Sequence, residues 1–170
     1  MPFVEFLKST VLMSAGAATA LAAATVVGAA AKGEQTTALV AMGWWLTAAL
    51  AGLVIGRREQ ASQAITRLLA DARVATQLPE QRPVRVLLDR LWPLFVTTLV
   101  AMALGLFLPQ VSGVATGFAI AWAMSLRRQH AAVEAIERRD GVRFHVEPSS
   151  PVRPISLTRT PGFKAYVPEV

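Results

Sequence analysis

Hydrophobic residues occur along this chain in long uninterrupted blocks. Four stretches carry no charged side chain: Ser9 to Ala31, Thr36 to Gly56, Leu91 to Leu108 and Val111 to Leu126. A bilayer core about 30 Å thick needs about 20 helical residues, with a range of about 17–25. The first two stretches meet this length and the third meets it narrowly. The fourth, of about 16 residues, needs flanking residues or a locally thinner bilayer. Because lipid offers the backbone no hydrogen-bond partner, each stretch is predicted to be a transmembrane helix.

The order of these blocks predicts an all-α integral membrane protein with two transmembrane hairpins. The first hairpin covers residues 1–56, and a cytoplasmic amphipathic helix and linker follow at 57–90. The second hairpin covers 91–126, and a cytoplasmic helix and extended tail complete the chain at 127–170. The pairs Arg57-Arg58 and Arg127-Arg128 are 70 residues apart, which supports a 2+2 arrangement of parallel repeats.

The first block could also be a secretory signal peptide, since Lys8 precedes it and Ala29, Ala30 and Ala31 end it. The apolar region of a signal peptide spans only about 7–15 residues, and this block is longer. We therefore expect a retained transmembrane helix.

Composition agrees with a membrane protein. The chain is 54% hydrophobic and 16% charged, with a mean hydropathy of +0.45 and no cysteine. A soluble domain averages about 45–50% apolar and about 25% charged residues. These values argue against a soluble enzyme, a disordered chain and a disulfide-rich secreted domain. The net charge of +6 could indicate nucleic-acid binding, but acidic residues are interleaved with the basic ones. We expect no nucleic-acid partner.

The positive charges predict the orientation of the helices. Of the 17 lysine and arginine residues, 15 fall between the second and third spans or after the fourth. Basic residues collect in cytoplasmic loops. Both termini and the central loop are therefore predicted to be cytoplasmic, in a multi-pass protein of a bacterial inner membrane.

Small residues recur at four-residue spacing in every span, which lets helix backbones approach closely in lipid. Gly52, Gly56, Gly113 and Gly117 are the predicted helix-packing positions. Packing within one four-helix bundle is the preferred interpretation, and a surface for a homo-oligomer or a larger complex is the other. The arginines Arg57, Arg58, Arg127 and Arg128 chiefly indicate topology, and they are also candidate contacts for anionic lipids.

The cytoplasmic segments carry their own predicted elements. Residues Glu59 to Ala75 follow the pattern of an amphipathic helix, and Pro83 is well placed to begin the next one. The fourth span is expected to continue as a helix to Arg139 and to end at Asp140-Gly141. The alternation that follows, from Val142 to Val146, predicts a short strand. The Pro-rich tail is dotted with apolar residues, so residues 142–170 are expected to lie on this bundle or on a partner protein.

Candidate chemistry is sparse. The two histidines, His130 and His145, lie on different predicted elements, and Glu134 and Glu137 are interleaved with arginines. Neither pattern has the spacing of metal ligands or of an acid–base pair. The spans contain no ionisable residue, which argues against a proton-coupled transporter or a pump. We therefore expect no enzymatic activity, no cofactor and no metal.

Two functions remain after these exclusions. The leading one is a non-catalytic accessory or scaffold subunit that packs against a partner membrane complex or against itself, besides contacting the lipid bilayer. The alternative is a small oligomeric transporter or lipid-handling protein. A cavity near mid-membrane, lined by threonine hydroxyls or filled by lipid, would favour the alternative, whereas a solidly packed bundle would argue against it.

Overall fold

The computed structural model describes residues 1–56, 66–74, 83–147 and 155–161. Four long helices dominate: α1 (Phe3–Ala31), α2 (Gln35–Ile55), α3 (Pro83–Phe107) and α4 (Pro109–Asp140). Residues 66–70 are also helical. Three short strands complete the fold: β1 (Arg73–Val74), β2 (Val142–Val146) and β3 (Leu157–Pro161).

Within the described part of the chain, three helices are long and apolar enough to cross a membrane, namely Phe3–Ala31, Gln35–Ile55 and Val84–Phe107. The apolar half of α4 is richer in small and hydroxyl residues, and Ser112, Gly113, Thr116 and Gly117 are all buried there. These small residues suit the position of α4, because this helix packs against each of the other three long helices. A helix covered by other helices has less need of large lipid-facing side chains.

The helices do not pack as two separate hairpins. The most extensive contact joins α1 to α4, and α2 packs much more on α4 than on its sequence neighbour α1. Helix α3 rests against both α1 and α4. The two hairpins are therefore interlocked around a central α1–α4 pair.

Local chemistry explains where the helices end. Gly33, with φ of +68°, allows the turn from α1 into α2. In the neighbouring turn from α3 into α4, Pro109 begins α4, where its missing N–H costs nothing. Lys32 donates a hydrogen bond from Nζ to the carbonyl of Phe107 and so caps α3, where a cation is favourable. These turns lie at what we call the far end of the bundle.

At the other end, a small sheet closes the bundle. The strand order is β1-β3-β2, with β1 parallel and β2 antiparallel to β3. The start of the chain joins this sheet, since Pro2 bridges to His145 and the Val146 N–H donates to the Met1 carbonyl at 2.9 Å. The sheet covers a hydrophobic core drawn from distant parts of the chain: Met1, Phe3, Phe6, Leu7, Leu69, Val86, Leu126, Val133, Val142, Phe144, Val146 and Leu157. We call the sheet and this core the cap.

The cap corrects two expectations. The strand predicted at Val142 to Val146 is present, but it belongs to a three-stranded sheet, so the fold is helical with a small sheet rather than all-α. The helix predicted to reach Ala75 gives way to strand β1 at Arg73–Val74, because parallel pairing with Thr158 and Arg159 satisfies that backbone instead. The earlier part of that helix, 59–65, lies outside the described residues.

The described parts of the tail pack on their own chain. Residues 142–146 and 157–161 form the sheet, and Val146 and Leu157 are buried in the cap core. Of the two interpretations of the tail, packing on its own chain therefore holds for these residues. Residues 148–154 and 162–170 lie outside the described part of the chain.

Candidate intramembrane groove

A groove of about 400 Å³ lies between α1, α3 and α4. Ser14 and Leu21 line it from α1, Thr97 and Thr98 from α3, and Phe118 and Trp122 from α4. All the described residues that line it are uncharged. The groove is open along one side, and large apolar side chains such as Trp122 are exposed there.

Helix α3 approaches the rest of the bundle closely at both of its ends. At the far end, a Cβ added to Gly105 would lie 2.6 Å from the Ser112 Cβ, and one on Gly28 would lie 3.0 Å from the Gly105 carbonyl oxygen. At the cap end, Val86 is buried in the cap core. Between these ends, α3 lines the open space with Leu94, Thr97, Thr98 and Ala101.

The depth of the groove follows from the nearest charged residues on each helix. Ser14 is six residues beyond Lys8, Thr98 eight beyond Arg90, and Trp122 five before Arg127. At about 1.5 Å per residue, these positions lie about 8–12 Å inside the band of charges. Leu21 also lines the groove and lies about 20 Å beyond Lys8, so the groove extends from the cap-side half to about the middle of the apolar bundle.

The hydroxyl groups of the groove differ in their partners. Thr97 donates to the Pro93 carbonyl at 2.8 Å and Thr98 to the Leu94 carbonyl at 2.7 Å. Ser14 is fully buried, and its Oγ is the one buried side-chain polar atom among the described residues that has no hydrogen-bond partner. The groove therefore offers one free hydroxyl in apolar surroundings.

The far end of the bundle is held by polar contacts instead. The Trp45 indole N–H donates to the Gly113 carbonyl at 2.9 Å, and that of Trp44 donates to the Val114 carbonyl at 3.2 Å. A smaller cavity of about 250 Å³ opens beside Trp44, Thr37 and Gln110. Thr37 and Gln110 both pair with Glu34 there, so their polar groups already have partners within the chain.

The predicted packing glycines all lie at contacts between helices of this chain. A Cβ on Gly52 would fall 2.6 Å from the Ala121 carbonyl oxygen, and one on Gly56 would fall 3.1 Å from the Arg128 side chain. Gly113 faces Thr25 and Ala41. A Cβ on Gly117 would lie 2.6 Å from Cδ1 of Trp44.

The predicted lipid-binding arginines are only partly within the described chain. Arg127 and Arg128 are exposed at the cap end of α4, and the stem of Arg128 passes close to Gly56. Arg57 and Arg58 lie outside the described residues. Contact of these arginines with anionic lipid stays a prediction.

The titratable groups of the cap serve its structure. His145 is buried in the sheet, and its Nδ1 lies 3.3 Å from the Thr160 hydroxyl. Burial is the main cause that lowers the pKa of His145, and the charges of the Met1 α-amino group and Arg143 add to it. Glu137 accepts a hydrogen bond from the Phe144 N–H at 3.0 Å, while burial raises its pKa. Among the described residues, no group of three metal-binding side chains is present.

The sequence pointed to threonine hydroxyls in the spans but not to Ser14. A signal for it was present, because Thr10, Ser14, Ala18, Leu21 and Thr25 recur at helical spacing, and all five are buried. Such a stripe of small and polar residues marks the face of α1 turned toward its neighbours.

No family model matches this chain, and neither a curated protein nor a solved structure matches it. The groove is a large space between described helices that packing leaves unfilled. Its lining and its position are therefore the basis on which a function can be argued.

Proposed function

We propose that this protein is a non-catalytic membrane protein that holds a lipid-like molecule between α1, α3 and α4. This is the lipid-handling alternative from the sequence. The observation that carries it is the groove itself, with a volume of about 400 Å³ at membrane depth. Binding pockets for small molecules span about 300–1,000 Å³ and are lined mostly by apolar side chains.

The lining supports a hydrocarbon ligand over an ion. Leu21, Phe118 and Trp122 give it apolar walls, and Ser14, Thr97 and Thr98 add only neutral hydroxyls. Because Thr97 and Thr98 already donate to their own helix, they have no O–H left for an anion, and a few neutral oxygens do not replace the water shell of a cation. An acyl chain gains dispersion contacts from such walls without needing charged partners.

The proposal includes four membrane crossings in a bacterial inner membrane, with both ends of the chain cytoplasmic. The fourth crossing is the apolar part of α4, whose modest hydropathy suits its central position. The bridge between Pro2 and His145 supports an even number of crossings, since it holds the start of α1 beside the end of α4. The exposed Arg127 and Arg128 favour the cytoplasm for that end.

A matched pair of substitutions on α3 tests lipid binding. Ala101 lines the groove, whereas Ala103 is exposed on the same helix. Ala101→Leu fills the groove and Ala103→Leu adds the same side chain elsewhere. After extraction in mild detergent, native mass spectrometry should find retained lipid on the wild type and on Ala103→Leu, and little on Ala101→Leu. A folded Ala101→Leu protein with undiminished lipid, or a wild type without any, would contradict the proposal.

The accessory or scaffold role is the second candidate, and the surface of α2 favours it. One side of this helix packs on α4, while Leu39, Leu46 and Leu50 are each more than 60% exposed. Such a face contacts either lipid or another transmembrane helix. A single cysteine at Leu46 separates these cases, because cross-linking in native membranes gives a homodimer, a larger adduct or neither. The monomer alone would count against this role.

A further inference from the structure

Ser14 behaves differently from the hydroxyl residues that share its helix. On the same face of α1, Thr10 donates to the Phe6 carbonyl at 2.8 Å and Thr25 donates to the Ser112 hydroxyl at 2.9 Å. Ser14 makes no such bond, although it is fully buried and lines the groove. A buried donor without an acceptor is unfavourable. The groove therefore favours a ligand that places a hydrogen-bond acceptor beside the Ser14 hydroxyl.

The position of Ser14 limits which acceptor that is. Six helical residues, or about 9 Å, separate it from Lys8. The interfacial layer on each side of a bilayer is about 5–8 Å thick. Ser14 therefore lies close to the headgroup end of the acyl chains on the cap side, where the ester carbonyls of membrane lipids are found.

We infer that the groove recognises an acyl lipid through its ester carbonyl, which accepts a hydrogen bond from the Ser14 hydroxyl. The chain of that lipid lies along Leu21 and Phe118. This inference rests on the proposed lipid-binding function and adds the class of ligand and the group that selects it. Ser14 is a specificity-determining residue, because the apolar walls alone would accept any hydrocarbon chain.

The test compares two lipids that differ only at the recognised group. Delipidated full-length protein in detergent is titrated with dioleoyl phosphatidylglycerol and with its ether-linked counterpart, which lacks the carbonyl oxygens. We expect the wild type to prefer the ester lipid by about three- to tenfold, the range of one hydrogen bond inside a membrane. A diacylglycerol with the same chains then shows whether the headgroup contributes.

Two variants assign the preference to Ser14. Ser14→Ala should bind both lipids equally, with the affinity that the wild type shows for the ether lipid. Thr19→Ala is the control, because Thr19 is exposed on α1 and its hydroxyl bonds only the Ala15 carbonyl. It should keep the full preference for the ester.

The outcomes separate this inference from the function on which it rests. If the wild type binds both lipids equally while Ala101→Leu loses both, Ser14 selects nothing, but the groove still binds lipid. A Ser14→Ala protein that keeps the preference also overturns the inference. If Ala101→Leu changes neither affinity, the lipid-binding function itself fails. Should Ser14→Ala not fold, the comparison of ester and ether on the wild type still decides.

Discussion

The hydroxyl of Thr25 on α1 donates a hydrogen bond of 2.9 Å to the hydroxyl of Ser112 on α4, and both residues are fully buried. Each oxygen also lies within hydrogen-bond distance of a carbonyl of its own helix, Leu21 for Thr25 and Pro109 for Ser112. Hydrophobic burial does not drive helices together in lipid, so such contacts and close packing must do so. This pair joins the central helices at the end that the cap does not reach.

Replacing Thr25 by valine should loosen this contact without changing the volume. Ser112 keeps its bond to Pro109, so no buried hydroxyl is orphaned, and the expected loss is about 0.6 kcal/mol and at most about 1.7 kcal/mol. Thr19→Val is the control, because its hydroxyl bonds only its own helix. Reversible unfolding in mixed micelles measures both. An equal effect of the two substitutions would show that the contact between helices adds nothing.

A methyl group added at Gly52 should disturb the packing of α2 on α4. The new Cβ would lie 2.6 Å from the Ala121 carbonyl oxygen and 2.8 Å from its Cα, so the backbone of one helix must move. Overpacking of this kind costs about 1–3 kcal/mol. Gly43→Ala, on the same helix with open space around it, should be neutral or slightly stabilising because alanine favours helices. Thermal unfolding of the two variants in one detergent checks the contrast.

The sequence predicted the helices well because their signals are local. Uncharged blocks gave α1, α2 and α3, and Asp140-Gly141 marked the end of α4, where Gly141 adopts φ of +61°. The sheet was harder to predict from the sequence. Strand β1 has only two residues, and it pairs with Thr158 and Arg159, which are far away in the chain. In neither β1 nor β3 do apolar and polar residues alternate over enough positions to indicate a strand.

The groove could not be read from the sequence for a different reason. It depends on α3 being held at Val86 and at Gly105 and on what the helices leave open between these points. Periodicity shows which face of a helix is buried, but it does not show the distance to the next helix. Threonine hydroxyls within the spans are visible in the sequence, whereas the unpaired state of Ser14 requires the packed structure.

The cap should lose stability in mild acid because of His145. Its pKa in the folded protein lies below the usual 6.5, chiefly through burial. The unfolded chain therefore takes up the proton first, so the contribution is complete above about pH 6.5 and declines as the pH falls through the folded-state pKa. Glu137, whose pKa is raised above 4.5, acts in the opposite sense and favours the folded state at low pH.

The difference between the wild type and His145→Gln isolates this term, since both proteins keep Glu137. Thermal unfolding from pH 8 to pH 5 should show the gap between them narrowing or reversing as the pH falls. A constant gap across this range would show that His145 does not change its protonation between the folded and unfolded states.

Membrane topology can be tested with single cysteines, because the chain contains none. Gln35 and Gln110 are exposed at the far end, whereas Arg143 and Arg159 are exposed on the cap. If α4 is the fourth crossing, a membrane-impermeant maleimide should label Gln35→Cys and Gln110→Cys in intact cells. Arg143→Cys and Arg159→Cys should react only after the membrane is opened. Because Gln110 and Arg143 flank α4, labelling of both from one side would leave only three crossings and would refute the proposed arrangement.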